Sequence, residues 1–263
     1  MRWSFALQLT VTLMACVFLV APAAYSVLTG LTVNYFRGLS SGLTTAWLGK
    51  VWALYADTIW RSMGIAVATL VVTLIIGVPG AWALQRRPGL LSRMVEEVVS
   101  LPLAVPGLAL ALALLQVYGT LRGFRISSAF ILVGHVLYTL PFMLRAVMAV
   151  MAAADLARLE AAAATLGAGP WARFRDIVVP NAMPGILAGA LTVVTLSIGE
   201  FNLTWMLHTP LTKTLPVGLA DAYASMRLEI ASAYTLIFFL MVLPLLVAMQ
   251  WAVGRAQRVG AVT

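Results

Sequence analysis

LEAAAATLGAGPWARFRDIVVP, residues 159–180, stands between two long apolar runs and carries Glu160, Arg173, Arg175 and Asp176. Its first half has helical spacing. Leu156, Leu159, Ala163 and Leu166 fall three or four apart and form one apolar face, with Asp155, Arg158 and Glu160 around it. Gly167 supplies the left-handed residue that ends a helix, and Pro170, behind Gly169, suits the first position of a second helix. On that second helix Trp171, Phe174 and Ile177 share a face, while Arg173, Arg175 and Asp176 point elsewhere. Pro180 and Pro184 lead the chain back into apolar sequence. A helix–glycine–helix knob with exposed apolar and aromatic side chains is suited to another protein's groove.

The rest of the chain says where this knob stands. Of 263 residues 62% are hydrophobic and only 10% are charged, against roughly a quarter charged in soluble domains. This is an integral membrane protein. The net charge of +8 comes from basic residues scattered among short loops, which fits membrane topology and not nucleic-acid binding. The single cysteine, Cys16, excludes an intrachain disulfide, and His135 and His208 have no ligand-like spacing, so no metal site is expected.

A bilayer core takes about 20 apolar residues per helix. Six stretches qualify: Phe5–Thr29, Ser62–Leu84, Val98–Tyr118, Ile126–Leu144, Met183–Leu207 and Ile230–Gly254. The first, with Arg2 and the small-residue run 21–24, also has the features of a signal peptide, but its length favours an uncleaved span. Six spans put both termini on one side. With the termini inside, ten basic residues (Arg2, Arg86, Arg87, Arg93, Arg145, Arg158, Arg173, Arg175, Arg255, Arg258) face the cytoplasm and seven lie outside. That bias places 159–180 in the cytoplasm.

Three features mark the spans. The third contains Pro102 and Pro106-Gly107 in LPLAVPGLAL; its prolines free backbone carbonyls that neighbouring helices or a water-filled cavity must satisfy. A packing kink and a break lining a pathway are both open readings. The fifth contains Glu200, the only acid deep in a span, followed by Asn202. A central acid costs about 3 kcal/mol in lipid, so Glu200 either lines a path or bonds a neighbouring helix. His135 in the fourth span reads as a packing residue. Outside, the loop 30–60 ends in Trp47, Trp52, Tyr55 and Trp60, an aromatic belt or the start of the second span.

The 155–182 loop resembles the EAA loop in permease subunits of type I ABC importers. Its pattern is Glu-Ala-Ala, three residues, Gly, nine residues, Ile, one residue and Leu-Pro. Here Ala162, Ala163, Gly167, Ile177 and Pro180 match; Val179 replaces leucine, and Ala161 stands at the glutamate, with Glu160 one position earlier. LPLAVPGLAL, Ser-Ile-Gly-Glu-Phe at 197–201 and Lys-Thr-Leu-Pro-Val at 213–217 resemble the branch that includes polyamine, phosphonate, ferric-iron, sulfate and molybdate permeases. The resemblance implies an all-α membrane protein with six transmembrane helices, the MetI-like permease fold, and cytoplasmic coupling helices. Residues 1–61 would be an N-terminal helix and outer segment, 62–254 the transmembrane domain and 255–263 a cytoplasmic tail.

The implied protein is a multi-pass permease of the bacterial inner membrane and not an enzyme. Its partners would be ABC ATPase subunits, a second permease subunit, a periplasmic substrate-binding protein and membrane lipid. No cofactor is expected in this chain, since no phosphate-cradling Gly-x-x-x-x-Gly-Lys-Ser/Thr run is present and ATP with Mg²⁺ would sit on the ATPase. Glu160, Ala162, Ala163, Gly167, Trp171, Phe174, Ile177 and Pro180 would couple to that ATPase, and Glu200, Asn202, Pro102 and Pro106 would line the path. The substrate is expected to be polyamine-like or a small phosphonate, oxyanion or iron species; Glu200 with Asp221 and Glu229 outside would suit a cation. An intramembrane enzyme would need paired catalytic groups within spans, and a stand-alone secondary transporter an inverted repeat. Neither is found in the sequence.

Overall fold

The computed structural model describes the backbone of residues 2–260 and the side chains of residues 5–251. Its helices are α1 (Arg2–Thr29), α2 (Ala46–Arg86), α3 (Leu90–Ala104), α4 (Gly107–Tyr118), α5 (Arg122–Arg125), α6 (Ser128–Ala153), α7 (Leu156–Thr165), α8 (Pro170–Arg173), α9 (Val179–Gly199), α10 (Asn202–Leu207), α11 (Leu215–Ala224) and α12 (Leu228–Gly260). A π-helical turn, Phe174–Val178, joins α8 to α9. Among the described residues the only extended pairing is the bridge Thr32–Leu43. The fold is all-α. Helix α12 runs through most of the tail expected at 255–263; residues 261–263 and the side chains of Arg2, Arg255 and Arg258 lie outside the described residues.

Among the described residues five helical stretches are long and apolar enough to cross a membrane: Phe5–Thr29, Ala46–Arg86, Ser128–Ala153, Pro170–Gly199 and Leu228–Trp251. The sixth expected span, 98–118, is not one straight helix. It is the pair α3 and α4, bent by 109°. The cause is local: Val105, held extended by the proline after it (φ −99°, ψ 127°), ends α3, and Pro106 begins α4 from a non-helical ψ of 139°. Pro102 stays inside α3, as do Pro22, Pro79, Pro141, Pro184 and Pro244 inside their own helices. The aromatic segment 47–60 is the beginning of the 41-residue α2.

The fifth span departs from expectation at both ends. It starts as early as Pro170, running unbroken through the π-helical turn, and it stops at Gly199. Pro180 has no N–H to give the carbonyl four residues back, and the wider π turn just before it accommodates that gap in the ladder.

The chain divides into two compact units. In the unit formed by 1–58 and 217–241, Thr29 Oγ1 lies 3.1 Å from Ser232 Oγ, the backbone N–H of Tyr35 donates to Glu229 Oε1 at 3.0 Å, and Arg227 pairs with Asp221 at 3.6 Å. Residues Phe5 to Val20 of α1 are exposed.

In the unit formed by 59–216 and 242–263, α6 and α9 make the central contact. Gly185 and Gly189 let the two backbones touch. A Cβ on Gly185 would fall 2.6 Å from the carbonyl oxygen of Ala146, and one on Gly189 would fall 2.7 Å from Met143 Sδ. Small residues four apart are how membrane helices approach without a hydrophobic driving force. Around this seam Val78, Ala81, Met143, Val147, Met151, Leu156, Val178 and Ile186 form one buried cluster, joining α2, α6, α7 and α9.

Candidate functional site

The 155–182 segment is built as two helices about Gly167. Gly167 has φ +83°. Its N–H donates to Ala164 O, and that of Ala168 donates to Ala163 O, each at 3.0 Å. This pair of bonds is a Schellman stop, which satisfies the last carbonyls of α7 and needs a left-handed residue at its centre. Pro170 opens the next helix at its first position, where no N–H is needed.

The segment's apolar residues do not form the single outward face expected of α7. Leu156 is buried in the core, whereas Leu159 is 44% and Leu166 88% exposed. The buried stripe runs through Leu156 and Glu160, one turn apart, so Leu159 is rotated outward. Beyond the glycine, Trp171 is exposed, while Phe174 and Ile177 pack against the core. Leu159, Ala162, Leu166, Gly167, Trp171 and Pro180 thus lie on the surface that the segment offers. Ala163 is half-buried between the two faces.

Glu160 faces the protein. It is 5% exposed. Trp82 Nε1 of α2 donates a hydrogen bond to its Oε1, and Arg86 Nε lies 3.2 Å from its Oε2. The Arg86 guanidinium sits 4.7 Å from the Trp82 ring centre, a cation–π distance. The other side of the segment meets the same indole, with the Phe174 ring 4.9 Å from that of Trp82.

The second constellation lies where the fifth span breaks. Glu200 is extended (φ −70°, ψ 119°) and ends α9. Its carboxylate then caps α10: Oε1 accepts the N–H of Leu203 at 3.0 Å, and Oε2 accepts the N–H of Thr204 at 2.9 Å and its hydroxyl at 3.0 Å. At the other end, Arg125 Nη1 donates to the carbonyl of Leu207 at 2.7 Å. A carboxylate at the N-terminus and a guanidinium at the C-terminus satisfy orphan backbone groups and complement the helix dipole. Buried His135 lies between, with Nδ1 2.8 Å from Ser197 Oγ and Nε2 2.8 Å from Thr204 Oγ1.

Of the four residues expected on a path, the structure brings the Pro106 and Glu200 breaks together. A Cβ on Gly107 would lie 3.6 Å from Glu200 Oε1. Asn202 is exposed in the first turn of α10, and Pro102 is half-buried inside α3. The acids considered for a cation are already engaged, Glu229 by the N–H of Tyr35 and Asp221 by Arg227.

With this geometry in view, the comparisons with known proteins are specific. Residues 75–258 match the model of the family described as binding-protein-dependent transport system inner membrane component. The chain belongs to that family. It is a multi-pass inner-membrane transport permease. The molybdenum transport system permease protein ModB of Azotobacter vinelandii is 32% identical over 190 residues, 66% of this chain and 83% of that protein. The putative 2-aminoethylphosphonate transport system permease protein PhnV of Salmonella typhimurium is 28% identical over 247 residues, 89% of this chain and 88% of that one. Among solved structures, the inward-facing MetNI methionine ABC transporter matches with a TM-score of 0.64 at 20% identity, over 81% of this chain and 98% of that one. A bacterial ABC transporter importing the acidic polysaccharide alginate matches with a TM-score of 0.68 at 15% identity, over 96% of each chain. Both show the MetI-like permease fold.

In this permease, reading the sequence missed Trp82, Arg86, Ser197 and Thr204, and assigned His135 to packing alone. The available signal was chemical. A polar side chain in one span requires a partner in another, and Glu200 and His135 meet through Thr204.

Proposed function

We propose that this permease forms half of the translocation path of an ATP-driven importer, takes a small oxyanion or phosphonate from a binding protein, and is driven by a separate ATPase docked on residues 159–180. The observation that carries the coupling reading is the Gly167 knob. It holds Leu166 (88% exposed) and Trp171 (69% exposed) outward on a segment anchored in the core through Leu156, Glu160, Phe174 and Ile177. Exposed large apolar residues on a fixed helical knob mark an interaction surface. With both termini in the cytoplasm, this surface meets the ATPase there. ATP-driven closure of the ATPase pair would push on the knob, and Pro170–Gly199, being one helix, would carry that push into the fifth span.

The substrate class rests on two supports. The relatives named above are described as molybdenum and 2-aminoethylphosphonate permeases. The acids that would favour a polyamine or iron cation are spent on capping or pairing, as Glu200, Asp221 and Glu229 all are. The test is reconstitution with the cognate ATPase and binding protein in liposomes. Molybdate or 2-aminoethylphosphonate uptake that requires ATP supports the reading, while uptake of a polyamine and neither anion refutes the substrate class. Leu166→Glu with Trp171→Ala should release the ATPase on copurification; full retention would refute the docking surface.

A further inference from the structure

The indole of Trp82 stands where three parts of the chain meet. Its Nε1 donates to Glu160 on α7, its ring packs at a tilt of 41° against Phe174 in the π-helical turn, and Arg86, one turn further along α2, lies over it while pairing with the same Glu160. Both halves of the knob therefore rest on one point at the end of α2. Glu160 has no surface left for another protein: it is 5% exposed, and each oxygen has a partner within this chain. A carboxylate so placed is held by a donor and a cation, and removing either leaves a buried charge incompletely paired.

We propose that Glu160 acts within its own chain, as a latch that ties α7 to Trp82 and Arg86, and that this cluster passes the movement of the knob into α2. This rests on the coupling reading above and adds to it a second output. The fifth span receives the push through the continuous helix Pro170–Gly199; α2 receives it through Glu160. The side-chain geometry supports that route. Leu156 and Glu160 lie one turn apart on the buried stripe of α7, so α7 is fastened at an apolar point and at a polar one. The apolar contact is tolerant of sliding, whereas a hydrogen bond and ion pair on one carboxylate are directional. Displacing α7 then either draws the end of α2 with it or breaks the latch.

The test needs no transported substrate. Hydrogen–deuterium exchange is followed in the reconstituted permease–ATPase complex, nucleotide-free and trapped with ATP and vanadate. In the wild type, trapping should change exchange at both 159–174 and 82–88. In Glu160→Gln, which keeps an acceptor for Trp82 but loses the charge for Arg86, the change at 159–174 should persist and that at 82–88 should be lost. Trp82→Phe keeps an aromatic ring against Phe174 and loses the N–H, and should give the same loss. The double variant should be no worse than the more severe single one. A persistent response at 82–88 in both single variants overturns the latch. Failure of the ATPase to copurify with Glu160→Gln also overturns it, by placing Glu160 at the partner surface. No response at 159–174 in the wild type would defeat the coupling reading itself, and the latch with it.

Discussion

His135 Nε2 lies 2.8 Å from Thr204 Oγ1, and that contact fixes the direction of a hydrogen-bond chain ending on Glu200. Thr204 has a single hydroxyl proton, and the Glu200 carboxylate takes it. Thr204 must then accept from His135, which places the imidazole proton on Nε2. In the neutral ring Nδ1 is an acceptor, so the Ser197 hydroxyl donates to it at 2.8 Å in preference to Thr69 Oγ1 at 3.5 Å. Each donor points towards Glu200. The expected outcome is a neutral, Nε2-protonated His135, read from side-chain ¹⁵N shifts of the permease in detergent or nanodiscs. His135→Leu should lower unfolding stability by about 1–3 kcal/mol by leaving Ser197 and Thr204 short of a partner. A protonated Nδ1 with a bare Nε2 would contradict the chain.

Glu200→Gln tests whether this carboxylate is architecture or path. Three donors fall on two oxygens, and glutamine offers one oxygen and an amide that repels the N–H groups of Leu203 and Thr204. Stability should fall by about 1–3 kcal/mol, visible as a lower melting temperature. Transport per folded permease should change little. A large loss of transport at unchanged stability would instead put Glu200 on the solute's route.

How much of this was legible beforehand follows from the range of each interaction. Gly167 and Pro170 were readable because capping is local and uses residue types that few other roles require. The outward face of α7 was misjudged by one residue, because helical spacing allows Leu156 to be grouped with Leu159 as easily as with Glu160, and only the packing of α2 decides. Trp82 and Glu160 are 78 residues apart, beyond any periodicity. The break at Glu200 was hidden for another reason: the apolar pattern continues through Asn202–Leu207, and the helix stops because a side chain caps the turn that follows it. Proline was a poor guide to breaks, since Pro102 and Pro106 differ only in what surrounds them.

The seam between α6 and α9 should be intolerant of a single methyl group. At Gly185 an added Cβ meets the carbonyl oxygen of Ala146 at 2.6 Å, and this is backbone that cannot rotate away. Gly185→Ala should therefore cost about 1–3 kcal/mol and reduce the amount of folded permease. Gly80→Ala is the control. Its Cβ would meet Leu144 Cδ1 at 3.7 Å, an ordinary contact, and alanine is the better helix former by about 1 kcal/mol. Equal melting temperatures for the two variants would mean that the helices do not approach as closely as the structure has them.

Gly167→Val probes the knob without touching the core. With φ at +83° and no neighbouring atom within 4 Å of an added Cβ, the substitution has room for its side chain but not for its backbone. A β-branched residue held there costs about 1–3 kcal/mol locally. The chain should relieve this by abandoning the Schellman stop, freeing the bonds from Gly167 to Ala164 and from Ala168 to Ala163. Leu166 and Trp171 then lose their fixed relation, while the α6–α9 core is untouched. The expected result is a permease that inserts and melts like the wild type, but whose transport per ATP hydrolysed in the reconstituted complex falls by about tenfold or more. Gly167→Asn, which tolerates the left-handed region better, should keep most of the coupling. Wild-type transport in Gly167→Val would show that the rigid turn is dispensable; equal damage from valine and asparagine would show that something other than backbone conformation matters at this position.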